Sequence, residues 1–210
     1  MNSLDKIIIV LAVLFHVFCI SLFFLHSTNE LNGIENYNKE YLIQEYHYDL
    51  DSNLSIFPDN TSSFIDPVFK SLLIVNLFDT SGYIILETKY NENDFESEID
   101  RLSKLNITIS DCKMNSFTNY IIYDENSYDY PSYITIDGFS NNYEYALIDK
   151  DNLKIMYIYL AYPDVKNEEY NGYLKKNKKD YLNSNNLNSY SMYNHSYDNN
   201  NSYIEFDDCK

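Results

Sequence analysis

The chain has three cysteines and four histidines, the residue types that most readily carry metal, redox or nucleophilic chemistry. Cys19 falls in an apolar run, leaving Cys112 and Cys209 outside it. These two either form one long-loop disulfide, worth about 4–5 kcal/mol in chain-entropy terms, or stay apart. In that case Cys112 is a partly buried structural thiol and Cys209 a thiol near the C-terminus. His26 borders the apolar run, and His47 and His195 lie in polar stretches. No H-x-x-x-H, H-E-x-x-H or C-x-x-C spacing occurs, so a zinc site has no support. No G-x-S-x-G elbow occurs, and the glycines at 33, 82, 138 and 172 are too isolated to cradle a phosphate. No catalytic residue, metal or cofactor is expected.

Acids are plentiful, 32 Asp and Glu in all, so chance pairs must occur. Asp149 and Asp151 sit in a turn signal, and Asp207 and Asp208 close the chain. A glycosidase would need two acids with separated pKa values in one cleft, which spacing alone does not supply. Neither DKDN (149–152) nor DNNNS (198–202) has the ligand spacing of an EF-hand loop. The basic cluster Lys175, Lys176, Lys178 and Lys179 stands out on an acidic chain. It is either a contact for lipid headgroups or an anionic wall polymer, or a solvated charged face.

Lys plus Arg number 15, giving a net charge of −17. Asp5 and Lys6 cancel, so the whole charge belongs to the chain after the apolar run. Such a surface repels phosphate backbones, and no nucleic-acid partner is expected.

From Ile7 to Leu25 nineteen residues carry no charge, about 28 Å of helix against a hydrocarbon core of roughly 30 Å. A cleaved signal has a shorter apolar core followed by small residues, and here Leu25-His26-Ser27 follows. Phe18, where a lipoprotein signal needs a small residue, argues against lipidation at Cys19. Residues 7–26 therefore read as an uncleaved transmembrane signal anchor, with residues 1–6 in the cytoplasm and the remainder outside. His16 within it reads as a tolerated neutral imidazole.

Residues 27–66 read as a polar, acidic stalk with a short helix near 38–46, and residues 67–182 as the folded domain. LLIVNLF (72–78) and YIILETKY (83–90), separated by DTSG, predict a hairpin. Residues 93–105 predict a helix with Phe95, Ile99, Leu102 and Leu105 on one stripe and Asn93 as its cap. NITIS (106–110), FTNYIIYD (117–124) and YITID (133–137) read as strands. YEYALI (143–148) and LKIMYIYLAY (153–162) form the clearest hairpin, its loop at 149–152. The second of these is bulky on both faces, as a central strand must be. Between 183 and 203 every residue except Leu187, Met192, His195 and Asp198 is Asn, Ser or Tyr, a low-complexity tail. Residues 203–207 alternate again, as a returning edge strand would. The fold class expected is α+β: a mostly antiparallel sheet with one main packed helix, preceded by a transmembrane helix.

The succession of that first hairpin, DFESEIDRL (94–102), YPSYITIDGF (130–139) and YEYALIDKDNLKIMYIYLAY (143–162) resembles a group of exported proteins. These are small membrane-anchored or lipoprotein-like chains of unknown function from low-GC Gram-positive (clostridial) bacteria. The resemblance spans residues 67–165, implies an extracytoplasmic location and carries over no site residues. The expectation is a single-pass membrane protein with a non-catalytic binding or structural role in the cell envelope, contacting an envelope protein or an anionic wall polymer. Two alternatives stand beside it, an envelope hydrolase using acids and an accessory subunit of a larger membrane complex.

Overall fold

A computed structural model of the chain describes residues 9, 11–17, 27–45, 54–75, 80–110, 116–137, 142–163 and 172–174. Among the described residues, nine strands and two helices of more than one turn follow residue 26. They are β1 (Ser27–Asn32), α1 (Lys39–Glu45), β2 (Ile65–Val75), β3 (Thr80–Lys89), α2 (Glu92–Ser103), β4 (Asn106–Ser110), β5 (Ser116–Tyr120), β6 (Ile122–Asp124), β7 (Ser132–Asp137), β8 (Asn142–Asp149) and β9 (Lys154–Ala161). Seven strands form one antiparallel sheet in the order β1-β2-β3-β9-β8-β7-β6, and β4 and β5 pair separately. The α+β expectation, a mostly antiparallel sheet with a main helix, describes this architecture.

β9 lies at the centre of the order, and its alternation supplies two cores. Ile155, Tyr157, Tyr159 and Ala161 face one side with Phe69, Leu73, Ile84, Leu86, Ala146 and Ile148. Met156, Ile158 and Leu160 face the other with Tyr83, Ile85, Tyr143, Tyr145 and Leu147. All seven side chains from β9 are at most 5% exposed.

Phe95, Ile99, Leu102 and Leu105 form the expected stripe of α2 and pack on the first face. The cap, however, is Asn91 rather than Asn93. Its side chain accepts the Asp94 N–H at 3.0 Å and donates back to the Asp94 carboxylate at 2.6 Å, so both polar ends are used. α2 starts beside Tyr90, whose N–H bonds Leu153 C=O at the β8–β9 turn. Two residues past its end, Leu105 C=O accepts from Ile121 beside β6. Twelve residues span ~18 Å, about the four strand spacings between β3 and β6, so the helix lies across the strands.

The described residues of the stalk expected over 27–66, which are 27–45 and 54–66, are instead part of this domain. β1 pairs antiparallel with β2 from Ser27↔Val75 to Asn32↔Lys70. Leu42 of α1 and Leu54, Ile56 and Phe57 are fully buried in the first core. The folded unit thus begins at residue 27, and the boundary set at 67 falls inside β2. Pro67 marks a bulge there, between Ile65↔Lys89 and Val68↔Glu87, where its missing N–H costs no ladder bond.

The first hairpin forms with a shifted connection. Gly82 pairs with Leu73 inside the ladder rather than turning, and Val75↔Thr80 closes it. Its φ is +148°, and an added Cβ would lie 1.9 Å from the Leu72 carbonyl oxygen, so only glycine fits. In the β8–β9 hairpin Asp149 pairs with Lys154, moving the loop one residue on, to 150–153.

Among the described residues no helix is long and apolar enough to cross a membrane, and the described part of 7–26 is residue 9 and residues 11–17. The fold therefore does not show the expected transmembrane helix. The tail from 183, with the edge strand expected at 203–207, lies outside the described residues.

A stalk residue can be truncated at little cost, whereas a core residue cannot. Phe57→Ala is expected to lower unfolding free energy by about 3–5 kcal/mol, read by urea denaturation of the full chain in mild detergent. An unchanged midpoint would return residues 54–57 to a stalk.

Candidate functional site

Among the described residues a concave surface lies where residues 58–61 pass between α1 and α2. Two grooves share the wall formed by Asp59 and Asn60. One, of about 670 Å³, runs along Tyr37, Lys39, Glu40 and Gln44. The other, of about 310 Å³, is bounded by Phe64, Tyr90, Asp94, Ser97, Glu98 and Arg101.

Local hydrogen bonds build the first wall. Asn38 accepts the Tyr41 N–H at 2.9 Å and so starts α1, which aims Lys39 at the loop. Lys39 Nζ donates to Phe57 C=O and to Asp59 Oδ1, both at 2.8 Å. That hydrogen bond and the lysine charge hold the Asp59 carboxyl below the usual carboxylate range. Asn60 Oδ1 accepts from both the N–H and the hydroxyl of Ser62, an Asx turn that sets the loop's curvature. Tyr37 packs edge-on against Phe69 and donates to Pro58 C=O, and burial pushes its phenol up.

The second wall rests on a chain of hydroxyls and charges. Arg101 grips Glu98 in bidentate fashion, Nε to Oε2 at 2.8 Å and Nη2 to Oε1 at 2.6 Å. It also donates to Ile56 C=O at 2.7 Å and more weakly to Ser55 C=O at 3.4 Å. Burial works against the arginine's charge, but the hydrogen bond and charge of Glu98 outweigh it and raise its pKa. Tyr157 OH donates to Glu98 Oε1, and the Tyr90 and Tyr157 hydroxyls share a 2.6 Å bond. Both phenols are pushed up, chiefly by burial.

Behind these walls, and lining neither groove, lies Glu144 of β8. It is 1% exposed, and its Oε1 accepts the Ile56 N–H at 2.8 Å. Opposite it Thr135, the extra residue of a bulge in β7, donates to the Glu144 backbone C=O. Burial pushes the Glu144 carboxyl up to about 7, although the Ile56 N–H, Lys39, Thr135 and Arg101 all pull it down. On the other face Tyr173 donates to Glu87, which also pairs with Lys154, and accepts from Tyr145 OH at 2.7 Å.

Chemically this is a polar surface with its charges already engaged. In the smaller groove Asp59 is held by Lys39, Asp94 by Asn91 and Glu98 by Arg101 and Tyr157. The acid with the raised pKa is sealed from both grooves. A hydrolytic pair, one acid protonated and one ionised across an open cleft, is not assembled among the described residues. Nor does any group of three His, Cys, Asp or Glu there suit a metal ion.

Cys112, Cys209, Lys175, Lys176, Lys178 and Lys179 lie outside the described residues, as do His47, His195 and residues 198–202. Asp149 behaves as a turn residue, its carboxylate accepting from the N–H and side-chain amide of Asn152. The residues that do line the site were not singled out from the sequence. Glu98 and Arg101 lie on the helix outside its apolar stripe, and Lys39 and Asp59 in the supposed stalk. The available signal was Glu144, which shares a strand face with Ala146 and Ile148. An acid at an inward position demands a donor from a covering segment.

No family model, curated protein or solved structure matches the chain.

Glu144 makes stability depend on pH with a definite sign. The folded state keeps this proton up to about pH 7, whereas an unfolded glutamate releases it near 4.5. The folded state thus binds more protons between these values, and stability falls as pH rises through that window. The loss is on the order of 3 kcal/mol and complete above pH 7. Glu144→Gln keeps the acceptor for Ile56 and cannot ionise. Urea denaturation at pH 5 and pH 8 should give it a smaller loss than wild type, and at pH 8 it should be at least as stable. An equal loss in both proteins would show that Glu144 titrates normally.

Proposed function

We propose that the chain is a single-pass membrane protein, N-terminus in the cytoplasm, whose domain serves a non-catalytic binding or structural role on the outer side of the cell envelope. One observation carries the anchor. Residues 11–17 are helical, and Leu11, Val13, Leu14, Phe15 and Val17 are 56–65% exposed. At 100° per residue these and the exposed Ala12 leave only the sector of His16 free, so no single face of a soluble domain could cover them. Lipid can cover all of them. The lone polar ring on that helix, His16, is bonded through Nδ1 to Ala12 C=O at 2.8 Å, which lowers the cost of carrying it in an apolar medium.

The grooves beside residues 58–61 support binding over catalysis, because their carboxylates are tied in ion pairs and caps rather than poised as acid and base. The resemblance to exported clostridial proteins points to the same compartment. An envelope protein or a wall polymer is the partner this reading offers the grooves.

The anchor is tested by fractionation and intact mass of the native protein. The chain should stay in the membrane pellet after alkaline carbonate, carry Met1 or Asn2 at its start, and lose its domain to protease added outside intact spheroplasts. A mature start at Cys19 with an acyl mass would make it a lipoprotein, and a start near residue 27 would make it a released domain. Either result overturns the signal anchor.

A further inference from the structure

The helix at residues 11–17 carries one polar side chain, and its geometry fixes which hydrogen-bonding role is left over. His16 Nδ1 lies 2.8 Å from Ala12 C=O. A carbonyl oxygen only accepts, so the hydrogen sits on Nδ1, and a neutral imidazole then keeps Nε2 as a bare acceptor. No described residue donates to Nε2, and the side chain is exposed on the helix.

In water such an acceptor is satisfied by solvent, whereas in hydrocarbon it is left unpaired at a cost. In the sequence nine uncharged residues, Ile7 to Phe15, precede His16 and nine, Val17 to Leu25, follow it. A helical span of that run puts the ring about 14 Å from either end, at the middle of a hydrocarbon core roughly 30 Å thick. An imidazole tied by Nδ1 to the preceding turn cannot snorkel that far. Acyl chains satisfy the apolar side chains around it and offer Nε2 nothing.

A second copy of the chain does not supply the missing donor. Copies of one topology run parallel, which sets His16 against His16, two bare acceptors face to face. Cys19 and Ser21, the other polar residues of the run, stand three and five positions further along the sequence. The donor must therefore come from a different helix. The face around His16 suits close approach, because Ala12, one turn back and about 40° away, presents only a methyl group. Ile9 and Val13 flank the same face at about 20° and 60°, and Leu14 lies opposite at about 160°.

Resting on the anchor reading above, we propose that His16 is a docking point within the membrane. Its Nε2 accepts a hydrogen bond from a hydroxyl, carboxamide or indole N–H on a transmembrane helix of another protein. The chain is then the accessory member of a membrane complex, held to its partner at mid-bilayer.

The test uses the full chain expressed in its own cells. A diazirine-bearing residue replaces Ile9 or Val13 on the His16 face, or Leu14 opposite it, and intact membranes are irradiated. Positions 9 and 13 should couple to one protein of fixed size, and position 14 should not. The coupled peptide should lie in a membrane-spanning segment that carries such a donor side chain. His16→Leu should cut the coupling about fivefold, the scale of one interhelical hydrogen bond, and His16→Gln, which keeps an acceptor, should retain it. A lone anchor would instead gain from the leucine. A product of twice the chain's mass, a coupled peptide without a donor, or coupling that survives His16→Leu overturns the docking. So does absent or equal coupling from all three positions in a chain that resists alkaline carbonate. A chain that carbonate extracts overturns the anchor and the docking with it.

Discussion

β9 carries bulky apolar side chains on both faces, so water must be excluded from both sides of the sheet at once. That constraint organises the other elements. Seven strands make a sheet roughly 30 Å wide, and a single helix about 10 Å across cannot cover one face of it. α2 crosses from β3 to β6, and the uncovered remainder of that face needs another segment. Residues 27–45 and 54–64 supply it, first as an extra edge strand, then as α1, then as the buried run Leu54, Ile56 and Phe57. The other face takes Tyr128 against Tyr145, and Tyr173 and Leu174.

Tyrosine serves this arrangement because its ring fills a core while its hydroxyl ties layers together. Five of the largest fully buried side chains are Tyr128, Tyr143, Tyr145, Tyr157 and Tyr159. Tyr157 OH reaches Glu98 on α2, Tyr145 OH reaches the backbone of residue 173, and Tyr159 OH reaches Asn142 on the neighbouring strand. Each bond is worth only about 1 kcal/mol net, but leaving a buried hydroxyl without one costs about 1–3 kcal/mol. The bonds therefore fix where the covering segments sit more than they add to stability. With no tryptophan in the chain, tyrosine alone combines a large ring with a polar tip at these positions.

What the sequence made legible follows from the same physics. The strands at 106–110, 132–137, 142–149 and 154–161 were readable because alternation and β-branched residues act locally. So was the apolar stripe of α2. Gly82 misled because glycine marks turns more often than close approaches, and only the Leu72 carbonyl explains it. Asn91 was missed because Asn93 also fits the cap pattern. The segment 27–66 was misread because its buried residues are few and lie among polar ones. Leu54 adopts a left-handed conformation, φ +48°, and Ile56 and Phe57 follow within a turn, so no periodicity announces them. The grooves inherit that illegibility, since the larger is lined by that segment alone and one wall of the smaller belongs to it.

Glu144 shows how far a buried acid argues for chemistry. Its raised pKa would suit a proton-transferring group, yet it lines neither groove, and its side chain answers a backbone need. Ile56 N–H is buried beneath the covering segment, and Arg101 takes the Ile56 carbonyl on the opposite side of the same residue. An apolar replacement at 144 would leave that N–H without an acceptor. A neutral side chain with an oxygen in the same place would satisfy it. The position therefore requires an acceptor of that length, and the carboxylate's acidity is a consequence of where the acceptor stands.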